Sequence, residues 1–85
     1  MATLDWSLAR VDEVTFVELV VTSDIDERVE IESHLRPVWP PRRRGRPAAG
    51  WDETGVTGVV TADDPLVLGY ASPAEPADPP AELTD

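Results

Sequence analysis

Residues 14–22 constrain the fold most strongly, because six of these nine residues are β-branched. Branching at Cβ restricts χ1 in a helix and suits the pleated surface of a strand. Val17, Leu19 and Val21 recur at every second position, and this period predicts a strand that turns these three side chains toward a core. The chain has no convincing 3.6-residue apolar repeat, so the sequence favours an all-β domain.

Two neighbouring segments show the same alternation. In residues 4–8, Leu4, Trp6 and Leu8 share one side of a short strand, and Trp6 is a large candidate for the core. In residues 28–35, one face holds Val29, Ile31 and Leu35, and the other holds Arg28, Glu30, Glu32 and His34. Because only a five-residue polar turn separates this strand from residues 14–22, we predict an antiparallel hairpin between the two.

The second half of the chain predicts another hairpin, followed by a disordered tail. Residues 55–60 and 66–71 indicate strands, and residues 61–65 supply the turn. Five short strands within residues 1–71 predict a small antiparallel β-sandwich of immunoglobulin-like or fibronectin-like type. The alternatives are an incomplete sandwich, a small barrel and a module that completes its sheet against a partner. Residues 72–85 contain four prolines, four acids and one Leu, too little apolar surface to offset the entropy of ordering.

The amino-acid composition indicates the kind of environment in which this domain is stable. The chain carries 17 acidic and seven basic side chains, a formal net charge of −10, and it lacks Cys, Lys, Asn and Gln. Without Cys there is neither a disulfide nor a thiolate metal site. The profile is similar to that of proteins from salt-accumulating halophiles, where molar salt shortens the Debye length to ~3 Å and screens self-repulsion.

The sequence gives no sign of a membrane or secretory route. Residues 1–12 show no signal-peptide or lipidation pattern. No apolar stretch approaches the ~20 residues that a membrane span needs. We therefore expect a cytoplasmic location and no membrane partner.

Three short motifs resemble those of a known family. They are Trp-Pro-Pro-Arg at residues 39–42, Gly-Trp-Asp at residues 50–52 and Leu-Gly-Tyr-Ala at residues 68–71. With their flanks, over residues 6–80, they are similar to the pattern of a lineage-restricted family of small acidic haloarchaeal proteins of uncharacterised function. The resemblance implies a halophilic archaeal cytoplasm and brings no activity with it. Family members often continue beyond the Pro-rich segment, so the resemblance implies that this chain is a truncated or minimal form.

His34 is the single imidazole, and a strand would place it on the same face as Glu30 and Glu32. A metal site or a general base needs such a convergence, although alternating charge on a solvent-exposed face explains it without chemistry. No nucleophile-elbow, P-loop or dinucleotide-binding motif occurs. We expect a non-enzymatic protein without a cofactor, and an enzyme or metal site around His34 is the third hypothesis.

Residues 37–51 form an Arg- and Pro-rich loop, and we expect a tryptophan near each end to pin it. The candidate interaction surface consists of Trp39, Arg42, Arg43, Arg44, Arg46 and Trp51. Three interpretations of the arginines stay open. They fold back onto carboxylates of the hairpin face, such as Glu30 and Glu32; they bind a protein partner of acidic character; or they contact nucleic-acid phosphates. We favour a protein-interaction or accessory module, with nucleic-acid binding through the same loop as the alternative.

Overall fold

The chain folds into two antiparallel sheets. The computed structural model describes residues 2–84, apart from the side chains of Arg43 and Pro47, and this range contains strands and no helix. The strands are β1 (Thr3–Val11), β2 (Val14–Thr22), β3 (Glu27–Ser33), β4 (Arg42–Arg43), β5 (Arg46–Pro47), β6 (Gly55–Val60), β7 (Leu66–Ser72) and β8 (Ala81–Leu83). Sheet A has the order β1-β2-β7, sheet B has the order β6-β3-β8, and β4 pairs with β5 in a separate ribbon. The predicted all-β sandwich is confirmed.

The core consists of the inner faces of the two sheets. The predicted inward residues of β2, namely Val17, Leu19 and Val21, are at most 3% exposed. Sheet B contributes Val29 and Ile31, which are also buried as predicted. The remaining members of the buried cluster are Leu35, Val38, Val56, Val60, Tyr70 and Ala81.

The prediction of Trp6 as a core residue is wrong, since 41% of its surface is exposed. Trp6 pairs with Leu19 and shares its side of the sheet, but β1 is an edge strand and leaves one flank of the indole open. The indole nitrogen donates a hydrogen bond to Asp78 Oδ1 at 3.0 Å. A half-exposed position suits a side chain with an apolar ring and a polar N–H.

Both predicted hairpins are wrong, although the strands themselves are present. Strand β2 pairs with β1 and β7, whereas β3 pairs with β6 and β8, so the connections after β2 and after β6 cross between the sheets. Two consecutive strands that each have one apolar face can bury these faces either by pairing within one sheet or by packing in two facing sheets. The alternation of apolar residues does not distinguish these two arrangements. The tight hairpin joins β1 to β2 through Asp12 and Glu13, whose φ angles of 49° and 66° are those of a type I′ turn.

The prediction of a disordered tail over residues 72–85 is also wrong for residues 72–84, and residue 85 lies outside the described residues. Strand β8 pairs with β3, with Ala81 opposite Ser33 and Leu83 opposite Ile31. The His34 N–H donates to the Pro80 carbonyl at 2.7 Å, and Pro80 is fully buried. The ordered domain therefore extends past the predicted boundary at residue 71, because the prolines lie in the connection before β8 and leave its ladder intact.

A buried polar contact ties the two sheets together. The Tyr70 hydroxyl of β7 lies 2.7 Å from Ser33 Oγ of β3 and 3.4 Å from the Pro80 carbonyl. Ser33 Oγ also donates to the Leu35 carbonyl at 2.9 Å. Burial raises the pKa of Tyr70, and the hydrogen bond to Ser33 acts in the opposite direction. The contact fixes the position of β7 relative to sheet B.

Candidate functional site

The outer faces of the two sheets differ in character. The outer face of sheet B is largely charged and carries Arg28, Glu30, Glu32, His34 and Glu82, with Val59 exposed on β6. The outer face of sheet A instead exposes Val11, Phe16 and Val67 by 54%, 49% and 60%. The register places Val11 and Phe16 toward one end of this face and Val67 toward the other, with Glu18 and Gly69 between them. Large apolar side chains exposed close together commonly mark an interaction site.

Trp39 extends this apolar face by one residue. Its N–H donates to the Ala71 carbonyl at 2.7 Å, and the Ala71 N–H donates to the Trp39 carbonyl at 3.0 Å. The pairing stops after this single bridge because Pro40 and Pro41 have no N–H to donate. Paired residues of an antiparallel ladder point to the same side, so Trp39 stands on the outer face, and it is 47% exposed.

A row of paired residues across sheet A places one aromatic side chain on each side of a small one. Phe16 pairs with Ala71, and Ala71 pairs with Trp39. Neighbouring strands lie ~4.8 Å apart, so the backbones of Phe16 and Trp39 are separated by ~10 Å with only a methyl group between them. Two positions along β7 on the same face, Gly69 has no side chain, and it pairs with Glu18.

These residues define a groove, which consists of Phe16, Glu18, Gly69, Ala71, Trp39 and Pro41. It belongs to an open cavity of about 540 Å³ on sheet A that reaches over β2 as far as β1. Ala71 and Gly69 form the floor. The walls are Phe16 and Glu18 on the β2 side and Trp39 and Pro41 on the other.

The arginines form a small ribbon that begins next to the groove. Strands β4 and β5 pair around Arg44 and Gly45, whose φ angles of 55° and 79° make a tight turn, and the Ala48 N–H donates to the Pro41 carbonyl at 2.8 Å. Arg42 Nη1 donates to the Gly45 carbonyl at 3.1 Å. We call residues 42–47 the Arg ribbon.

The described arginines of the ribbon do not fold back onto carboxylates. Arg42, Arg44 and Arg46 are exposed. In the described part of the chain, no ion pair joins any of these three to an acidic side chain, Glu30 and Glu32 included. The side chain of Arg43 lies outside the described residues. Three of the four predicted arginines therefore remain accessible.

Trp51 has a different place from Trp39. Its ring centroid lies 5.5 Å from that of Tyr70 with the planes tilted by 59°, and it is half-buried against the core. Nearby, Asp52 Oδ1 accepts hydrogen bonds from the N–H and hydroxyl of Thr54 and the N–H of Gly55, which lower the pKa of Asp52. Trp51 anchors the end of the loop and is not among the residues that line the groove.

His34 holds the C-terminal strand and gathers no metal site among the described residues. Its Nδ1 lies 2.8 Å from the Pro79 carbonyl, and its Nε2 lies 3.2 Å from Glu82 Oε1. Across residues 2–84, no group of three potential metal ligands converges. The Pro79 carbonyl, followed by Glu82, raises the pKa of His34.

Comparison with known proteins places the chain in a family. A family model described as a family of unknown function, DUF7857, matches residues 12–85. The chain belongs to this family. The DUF7857 match includes all six groove residues and the Arg ribbon. No curated protein matches the chain, and no solved structure does. No helix among residues 2–84 is long and apolar enough to cross a membrane.

Sequence reasoning missed most of the groove. It selected Trp39 and the arginines, but not Phe16, Gly69 or Ala71. Phe16 was the available signal, because it is a large apolar residue at an outward position of β2. Its relation to Ala71 and Gly69 depends on the pairing of β2 with β7, which alternation does not specify.

Proposed function

We propose that this DUF7857 domain is a non-enzymatic protein-interaction module that binds an acidic segment of a partner protein in the groove. One observation carries the proposal. Half-exposed Phe16 and Trp39 stand next to a ribbon of accessible arginines in a chain whose net charge is −10.

The apolar part of the groove supplies affinity. Phe16 and Trp39 each keep about half of their surface in contact with water. Covering one such side chain with an apolar group contributes ~1–2 kcal/mol. Trp and Arg are also the residue types that most often dominate binding energy at protein interfaces.

The Arg ribbon supplies the charge preference. Its exposed arginines, Arg42, Arg44 and Arg46, favour carboxylates over basic side chains. Glu18 lies opposite Gly69 in the groove wall, so we expect an uncharged partner residue there and the carboxylates farther along, at the ribbon. Nucleic acid is the alternative partner for the arginines, but it leaves the apolar groove without a role, and the net charge repels it.

We further propose that the domain works in a salt-rich cytoplasm, as the absence of Lys and the excess of acids suggest. At molar salt, ion pairs are screened beyond ~3 Å, whereas apolar contacts keep their strength. A partner that combines an apolar anchor with carboxylates suits this setting, because its affinity survives where a purely electrostatic contact weakens.

A panel of 12-residue peptides tests the proposal. Two central apolar residues (Leu, Phe or Pro) are flanked by Glu in one series and by Lys in the other, and binding is measured by fluorescence anisotropy in 1–2 M KCl. We expect at least one Glu peptide to bind better than its Lys counterpart.

The matched variant is Gly69→Val, because a Cβ at Gly69 meets only the Val17 carbonyl at 3.7 Å, an ordinary van der Waals contact, and the branched side chain takes up space on the floor of the groove. It should abolish peptide binding, whereas the control Val59→Ala on sheet B should retain it. Equal binding by wild type and Gly69→Val would contradict the proposed site. Binding of single-stranded DNA instead of any peptide would favour the nucleic-acid alternative.

A further inference from the structure

We infer that the partner segment is an acidic polyproline II stretch, with a proline ring seated between Phe16 and Trp39. This inference rests on the proposed function and specifies the conformation and the anchor of the ligand. Four features of the described residues carry it: the width of the groove, its length, the state of the neighbouring strand edge and the position of the Arg ribbon.

The width of the groove fits one ring. The backbones under Phe16 and Trp39 are ~10 Å apart, two strand spacings. Each aromatic side chain occupies part of this distance, so the space left above Ala71 is narrower than ~10 Å and suits a small aliphatic ring. An α-helix, which is ~10–12 Å across with its side chains, is too wide to enter.

The strand edge beside the groove does not accept a β-strand. At Ala71 the edge of β7 is occupied by Trp39, which takes both the N–H and the C=O. The chain continues from Trp39 into Pro40 and Pro41, and both prolines line the same cavity as Gly69 and Tyr70. A ligand strand would have to displace this segment, so strand addition to β7 is disfavoured.

Polyproline II is the extended form that needs no backbone ladder. It rises ~3.1 Å per residue, so one three-residue turn covers the ~7 Å between Ala71 and Gly69 on the floor. Proline-rich segments are already ordered in this form and dock into grooves lined by aromatic rings at low entropic cost. The groove thus combines aromatic walls and a floor without bulky side chains, which this mode of recognition uses.

The Arg ribbon fixes the direction of the acidic residues. Pro41 lines the cavity and Arg42 follows it directly in the chain, so the ribbon begins where the chain leaves the groove. Carboxylates that follow the proline on that side reach Arg42, Arg44 or Arg46. Carboxylates on the opposite side of the proline gain no arginine of the ribbon.

The experiment compares peptides that differ only in the anchor. Acetylated 12-residue peptides carry Glu flanks and a central Pro-Pro, Ala-Ala or Leu-Leu, and affinity for the wild-type protein is measured by isothermal titration in 1 M KCl. We expect the Pro-Pro peptide to bind at least about tenfold more tightly than the Ala-Ala peptide. Trp39→Ala should remove this preference, and Glu18→Gln should strengthen binding of every Glu-flanked peptide by lowering the negative charge of the wall.

The outcomes separate this inference from the proposed function. If Leu-Leu binds and Pro-Pro does not, or if Pro-Pro and Ala-Ala bind equally, the proline inference fails while an acidic partner in the groove stands. If none of the three peptides binds with a Kd below ~1 mM, both the proline inference and the proposed function fail. Light scattering of the free protein at the titration concentration is the control, since a dimer that Gly69→Val dissociates would mean that a second copy fills the groove.

Discussion

Deleting residues 73–85 should unfold the domain. The deleted segment supplies the Pro80 carbonyl for the His34 N–H (2.7 Å), the Thr84 N–H for the Glu30 carbonyl (2.8 Å) and the Ala74 carbonyl for the Thr15 hydroxyl (2.7 Å). At ~1 kcal/mol each, these three bonds contribute ~3 kcal/mol.

Buried side chains add to this loss. Pro80 and Ala81 are at most 2% exposed, and Leu83 packs on the core from β8. Their burial contributes a further ~2–4 kcal/mol. The total, about 5–7 kcal/mol, is comparable to the ~4–13 kcal/mol expected for the whole stability of a domain of this size.

The assay is a thermal melt followed by circular dichroism in 2 M KCl. The truncated chain should either show no cooperative transition or melt more than about 20 °C below the full chain. The control is Glu75→Ser, which changes an exposed side chain in the same segment and should shift the midpoint only slightly. A truncated chain that melts within a few degrees of the full one would refute the packing of β8 against β3.

Three further predictions concern the rest of the fold. Hydrogen bonds raise the pKa of His34 above the ordinary 6.5, so the stability that His34 contributes should be complete below pH 6.5 and should decline as pH rises through the raised pKa. Urea unfolding measured from pH 5 to 9 should show this decline in the wild type and not in His34→Gln. Gly55→Ala should destabilise the domain strongly, since a Cβ at residue 55 overlaps the Ile31 carbonyl, whereas Gly69→Ala should melt at a temperature close to that of the wild type. Equal melting temperatures of the two variants would contradict the close approach of the Gly55 and Ile31 backbones. The thermal midpoint should rise between 0.1 M and 2 M KCl, because screening reduces repulsion in a chain of net charge −10, and an unchanged midpoint would argue against adaptation to salt.

The sequence was sufficient to predict the five longer strands and the apolar face of β1, β2 and β3. Val17, Leu19 and Val21 are buried because the alternation of a single strand already reveals which side is apolar. Trp6 follows the same alternation yet is half exposed, because its burial depends on the edge position of β1. The local pattern therefore predicts which side of the sheet a residue faces. The fraction of its surface that is buried depends on how the strands pair.

Pairing also explains why the groove was only partly predicted. Trp39 and the arginines were recognised from residue type alone. Phe16 and Gly69 became relevant only through the register of β2 with β7, and β7 lies about 50 positions away along the chain from β2. Strand β8 was missed for a related reason, because its three residues gain a partner only once β3 has an open edge.

The most direct test of the groove as a binding site is a map of amide chemical shifts during titration with the Glu-flanked Pro-Pro peptide. If the peptide binds in the groove, the largest shifts fall on Phe16, Gly69, Ala71 and Trp39, a second set falls on Arg42 and Arg44, and all of them saturate together. Shifts confined to the outer face of sheet B around Glu30 and Glu82, or no shifts at millimolar peptide, would contradict it.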